Sequence, residues 1–123
     1  MNDYESIAAK MTEEALLRQI AEEAAELGHA ALKLLRAMKQ DSPTPVDKHT
    51  AVMHLLEEVA DVQLAVDVWN VNRYGDQSRV ACSIVDDIVD DKRRRWLRRL
   101  EEKENVQTAQ VRKQDGDSWR GEV

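Results

Sequence analysis

The two prolines of this chain, Pro43 and Pro45, stand almost side by side, and no other proline interrupts its 123 residues. Proline stops a helix and glycine loosens one. A chain that gathers its prolines in one place and has only four glycines is therefore free to build long helices on either side. The apolar residues agree. Leu17, Ile20, Ala24, Leu27, Ala31, Leu34 and Met38 recur in steps of three and four, and so do Val52, Leu55, Val59, Val62, Val66 and Trp69. Each set marks one seam along a helix.

The ends of these helices are signalled as well. Thr12 is a capping residue followed by Glu13 and Glu14, whose charge suits a helix N-terminus, and the first helix extends to about Lys39. Residues 40–49 read as a loop. The second helix runs from about Thr50 to Asn72 and ends at Tyr74-Gly75-Asp76. A third spans roughly Gln77–Lys103, with Val80, Ala81, Ile84, Val85, Ile88 and Val89 as its apolar part. A short helical piece over Tyr4–Met11 is the weakest of the set. Residues after Glu104 are polar and aperiodic, so the expected division is a helical domain over 1–104 and a flexible tail over 105–123.

The expected fold is all-α, an antiparallel helical bundle. Leu16, Leu32, Leu35, Leu56 and Leu64 fall outside the seams, and a third helix covers only part of them. The bundle is therefore expected to be completed by oligomerisation, as a homodimer or a dimer of dimers. A net charge of −6 disfavours nucleic acid as a partner. No segment approaches the ~20 apolar residues that span a bilayer, so no membrane partner is expected. One cysteine, Cys82, and an N-terminus without a basic start or apolar stretch fit a cytoplasmic protein.

A correspondence between the first two helices carries the chemistry. An offset of 35 maps the seam from Leu17–Leu34 onto Val52–Trp69, and it maps Glu22, Glu23 and Glu26 onto Glu57, Glu58 and Asp61. Glu23 and Glu26 are separated by about 4.5 Å along the helix and roughly 60° around it, on one flank of the seam. Glu58 and Asp61 occupy the matching flank. In an antiparallel pair packed seam to seam, both flanks face the same side, and the two acidic pairs lie at similar heights above the loop. Four carboxylates, Glu23, Glu26, Glu58 and Asp61, should converge there. Their mutual repulsion is relieved by a divalent cation, and an all-oxygen set without Cys or His suits Mg2+ or Mn2+. The plainer alternative is that these acids are solvated helix flanks.

The same residues resemble a known family. Glu22-Glu23-Ala-Ala-Glu26 followed by Glu58-Val-Ala-Asp61 is similar to the EExxE…ExxD signature of the MazG-like, all-α nucleotide pyrophosphohydrolases. The likeness extends to Leu17-Arg-Gln-Ile-Ala before the first acids and covers roughly residues 12–100. It implies a Mg2+-dependent enzyme that converts a nucleoside triphosphate to the monophosphate and pyrophosphate. It places the metal ligands on Glu23, Glu26, Glu58 and Asp61, and makes Glu22 a candidate for a second ion or for orienting water. The spacing between the two acidic elements is longer than in many members, which bears on the subgroup more than on the superfamily.

Members of this family often carry Lys and Arg on the next helix, where they hold phosphates. Here Lys92, Arg93, Arg94, Arg95, Arg98 and Arg99 supply six of the 18 basic residues. Steps of three and four from Ile88 reach Lys92 and Arg95, the two assigned to phosphate; the alternative is that they stabilise the helix C-terminus. Lys33, two turns past Glu26, could approach phosphate or pair with an acid. His29 and His54 project away from the seams and read as solvated. Trp69 and Trp96 read as core before base-stacking residues. A competing function is a helical oligomerisation or nucleic-acid-binding module that uses the Arg-rich third helix.

Overall fold

The computed structural model describes residues 1–39 and 47–120, with side chains described up to 115. All the regular structure among them is helical: α1 (Asp3–Ala9), α2 (Glu13–Lys39), α3 (Lys48–Tyr74), a short 3₁₀ turn (Gly75–Gln77) and α4 (Ser78–Arg120). Each start has a local cause. Asn2 accepts a hydrogen bond from the Glu5 amide at 2.9 Å, Thr12 Oγ1 from the Ala15 amide at 3.1 Å, and Asp47 from the Thr50 amide at 3.3 Å. Each thus satisfies an amide that the first helical turn leaves without a carbonyl. Gly75 ends α3 with φ +53°, a conformation that a side chain would strain.

The chain divides into two units, Met1–Ala81 and Cys82–Val123. In the first, α2 and α3 pack antiparallel. Arg73 near the end of α3 donates to both carboxylate oxygens of Glu13 at the start of α2, each at 2.9 Å. Asn72 Nδ2 donates to the carbonyls of Ala8 and Met11, both at 3.0 Å, and so ties α1 to the same end of the pair. Ala8, Leu16 and Val68 form the core there, with Met11, Trp69 and Val71 against it. Burying Leu16, the largest fully buried side chain, stabilises the fold by about 2 kcal/mol. The second unit consists of α4 from Cys82 onward, and every described side chain in it except the half-buried Asp90 is exposed.

The structure differs from the sequence expectation in three places. The seam is turned by less than one residue step from the apolar series chosen above: Ile20, Leu27, Leu34, Val52, Leu55, Val62 and Trp69 are half-buried as part of it, but Leu16, Ala30, Ala51 and Ala65 are buried, whereas Leu17, Met38, Val59 and Val66 are exposed. Both helices have more than one apolar row, and the small alanines let the backbones approach along this one. The 35-residue offset survives, since it carries Leu16 onto Ala51 and Ala30 onto Ala65. The second difference is that α4 continues through residue 104 to Arg120, so residues 105–120 are helical and not the aperiodic tail that their polarity suggests. Gln107, Ala109, Gln110, Arg112, Lys113 and Gln114, all good helix formers, carry the helix through that stretch. Third, α3 starts at Lys48, inside the expected loop; the rest of that loop, 40–46, lies outside the described residues.

Candidate metal centre

This partial turn of the seam changes the setting of the acids. Glu23 and Glu58 do not flank the helix pair; they lie in it. Glu58 is buried at 8% exposure, Glu23 is half-buried, and Glu26 is exposed one turn further along α2. Carboxylate oxygens of Glu23, Glu26 and Glu58 all lie within 4.8 Å of one another. Asp61 is exposed and is not one of this close group, but it shares a groove with Glu23, and its charge acts on that residue.

Each buried acid is held by the side chain one turn before it. Gln19 Nε2 donates to Glu23 Oε1 at 2.6 Å, and His54 Nε2 lies 3.2 Å from Glu58 Oε1. The same 35-residue offset relates Gln19 to His54. The second oxygen of each acid, Glu23 Oε2 and Glu58 Oε2, is buried without a hydrogen-bond partner. Burying a carboxylate oxygen without a donor is costly, and two such oxygens in one cluster need a cation or a proton. Burial pushes the pKa of Glu23 above the ordinary carboxylate range. The Gln19 hydrogen bond opposes this shift, while the nearby carboxylates of Glu26 and Asp61 add to it. The donor set is all oxygen, which fits a hard cation such as Mg2+ or Mn2+.

Beside the acids a groove of about 240 Å³ opens towards α1. Ile7, Met11, Leu16, Leu64 and Val68 give it an apolar wall, and Gln19, Glu23 and Asp61 line its polar end. A ligand with one flat apolar part and one anionic part could use both ends, provided a cation stands between the anion and the acids.

The remaining sequence candidates fall elsewhere. Glu22 is exposed and outside the close group. Lys33 is exposed on α2, two turns past Glu26. Lys92 and Arg95 are exposed on α4 in the second unit, where Arg95 pairs with Asp91 at 2.7 Å. His54, expected to be solvated, is half-buried against Glu58, and Gln19, a residue outside the sequence candidates, holds Glu23. Both could have been found from one signal: a polar residue four before each acid, in register with the offset. Trp69 packs on the core and meets Tyr74 edge-on at 5.9 Å. Trp96 is exposed.

Among the described residues, no helix is long and apolar enough to cross a membrane. Compared with protein-family models, curated proteins and solved structures, the chain matches none.

Proposed function

We propose that this chain is a MazG-like, all-α pyrophosphohydrolase that uses Mg2+ to convert (deoxy)nucleoside triphosphates to the monophosphate and pyrophosphate. The observation that carries the reading is the pair of buried carboxylate oxygens without donors, Glu23 Oε2 and Glu58 Oε2, on two of the three acids whose carboxylates approach one another. Glu23, Glu26 and Glu58 would hold the cation, with Asp61 on its open side. When bound, Mg2+ or Mn2+ would neutralise phosphate oxygens and lower the pKa of an attacking water. Gln19 and His54 fix the rotamers of the two buried acids, so the ligands are oriented before the ion arrives. Glu22, exposed beside Glu23, is assigned to orienting water. The apolar wall of Ile7, Met11, Leu64 and Val68 would take the nucleoside; the family resemblance would give Lys33, Lys92 and Arg95 the role of phosphate contacts.

Leu32, Leu35 and Leu56 are exposed on the first unit. An apolar surface of that kind is normally covered, which supports a homodimer or a dimer of dimers. The alternative, a helical oligomerisation or nucleic-acid-binding module, draws on the exposed Arg-rich α4. A panel of (d)NTPs with Mg2+, scored for pyrophosphate against orthophosphate, tests the proposal, alongside calorimetric Mg2+ titration. Pyrophosphate release that Glu58→Gln abolishes is the expected result. Absence of turnover and of Mg2+ binding, with tight duplex binding at physiological salt, would transfer the assignment to the alternative.

A further inference from the structure

The offset of 35 residues between α2 and α3 lets one half of the candidate site be read from the other. An antiparallel pair whose residues correspond at a constant offset has a two-fold axis perpendicular to it, and the packing obeys one. Leu16 and Ala51 are both buried, as are Ala30 and Ala65, and the hydrogen bond of Gln19 to Glu23 has its equivalent in His54 against Glu58. Leu16 and Val68 share one core cluster and so stand at about the same height. The residues level with their own counterparts then fall between Glu23 and Glu26 on α2 and between Glu58 and Asp61 on α3. The axis runs through the acids.

Such an axis exchanges the two ends of the pair and keeps each face on its own side. Towards α1, the groove beside the acids is lined by Leu16 and Gln19 from α2 and by Leu64, Ala65 and Val68 from α3. The two-fold carries these onto Ala51, His54, His29, Ala30 and Lys33, which continue the same face beyond Glu26 and Glu58. His29 holds the place in the second half that Leu64 holds in the first, and Lys33 holds that of Val68. Both are exposed, whereas Val68 is buried in the core with Ala8 of α1. One face of the helix pair thus passes from an apolar wall, across a cluster of carboxylates, to an imidazole and an ammonium group.

That order fits a molecule with an apolar ring at one end and a chain of phosphates at the other. The α1 end, apolar and bordered by Glu23 and Asp61, offers an anion no donor of full charge. At the other end Lys33 brings a positive charge and three donors. Helical side chains lean towards the N-terminus of their helix, which for Lys33 is the direction of Glu26. His29 stands about 4.5 Å beyond Glu26 along α2, and Lys33 about 10.5 Å. We infer that His29 and Lys33 form a subsite for the two outer phosphates of the substrate, whose base lies towards α1. The identity of the substrate rests on the pyrophosphohydrolase reading; the subsite does not draw on α4.

The test is calorimetric binding of inorganic pyrophosphate and of a nucleoside monophosphate to the full chain in the presence of Mg2+, with titration of Mg2+ alone beside it. His29→Ala and Lys33→Ala should each weaken pyrophosphate binding about tenfold, while the affinity for Mg2+ stays native and Lys33→Arg keeps most of the pyrophosphate affinity. Leu64→Ser should do the opposite, weakening the monophosphate and sparing pyrophosphate. Failure of the subsite and failure of the enzyme reading are separable. A chain that releases pyrophosphate from (d)NTPs, yet binds it as tightly after His29→Ala and Lys33→Ala, overturns the subsite and keeps the enzyme. Weaker pyrophosphate binding in both variants, without turnover by the native chain, keeps the subsite and removes the enzyme. A native chain that binds no pyrophosphate in the presence of Mg2+ overturns the subsite, whether or not Mg2+ itself binds.

Discussion

Glu23 and Glu58 occupy equivalent places on two similar helices, yet their surroundings differ. Glu23 is half-buried, receives a short hydrogen bond from the neutral amide of Gln19, and has Glu26 and Asp61 acting on it. Glu58 is buried and has His54 in place of the amide. One helix supplies an acid that others crowd, and the other supplies an acid set deep beside an imidazole. The comparison shows how a duplicated pattern can give an asymmetric site. The deep acid would anchor a cation, while the crowded one is placed to respond to whether the cation is present.

The largest expected effect follows from removing the deep acid. Glu58→Gln should lower Mg2+ affinity and any turnover by at least about a hundredfold, because a first ligand is lost, while helical circular dichroism stays native. Glu23→Gln should weaken binding less, since Glu26 and Asp61 remain beside it. Calorimetry on the two variants ranks them, and an equal loss would dissolve the asymmetry. Next come the supporting residues. His54→Ala and Gln19→Ala should each reduce Mg2+ affinity about tenfold or more through misoriented ligands.

A smaller effect concerns stability against pH. The pKa of Glu23 is raised in the folded state, so the native protein holds this proton more tightly than the unfolded chain. The resulting stability is fully present below the unfolded carboxylate pKa and is lost as pH rises through the folded one. Without divalent ions, the melting temperature should therefore fall as pH climbs out of the ordinary carboxylate range. Glu23→Gln should flatten that slope, and saturating Mg2+ should reverse it by binding the ionised form. A metal-free melting profile unchanged by the substitution would place Glu23 in contact with solvent instead.

Much of this was legible in the sequence, and the failure was of a particular kind. Thr12 and Gly75 were read as helix ends and serve as such, because capping and a positive φ are local properties. The pattern places Glu23, Glu26, Glu58 and Asp61 together; oxygens of the first three approach one another, and Asp61 stands outside that close group. The packed face of each helix shares Ile20, Leu27, Leu34, Val52, Leu55, Val62 and Trp69 with the expected seam and differs at the positions between them. Hydrophobicity favoured the row with Leu17, Val59 and Met38, but packing selected the row with Ala30, Ala51 and Ala65, where small side chains admit close contact. That row contains Glu23 and Glu58, and a rule that keeps acids off the interface cannot find it. His54 was misplaced by the same error, since its solvated reading depended on the wrong face.

The smallest expected effect separates the residues beside the buried acids. Glu22 and Glu57 are related by the same offset, and both are exposed. The family resemblance makes Glu22 a candidate for a second ion or for orienting water and gives Glu57 no part. Exposed glutamates without packed partners change stability by only about 0.5 kcal/mol or less when altered, so any difference between the two must be functional. Glu57→Gln should leave Mg2+ affinity and turnover at the native level. Glu22→Gln should also keep Mg2+ affinity, because its carboxylate is outside the close group, but should lower kcat by about tenfold as the water loses its orienting base. Comparing kcat with the Mg2+ dissociation constant in the two variants makes the distinction. If both behave as the native chain, Glu22 is a surface residue like its counterpart, and the first acidic element contributes only Glu23 and Glu26.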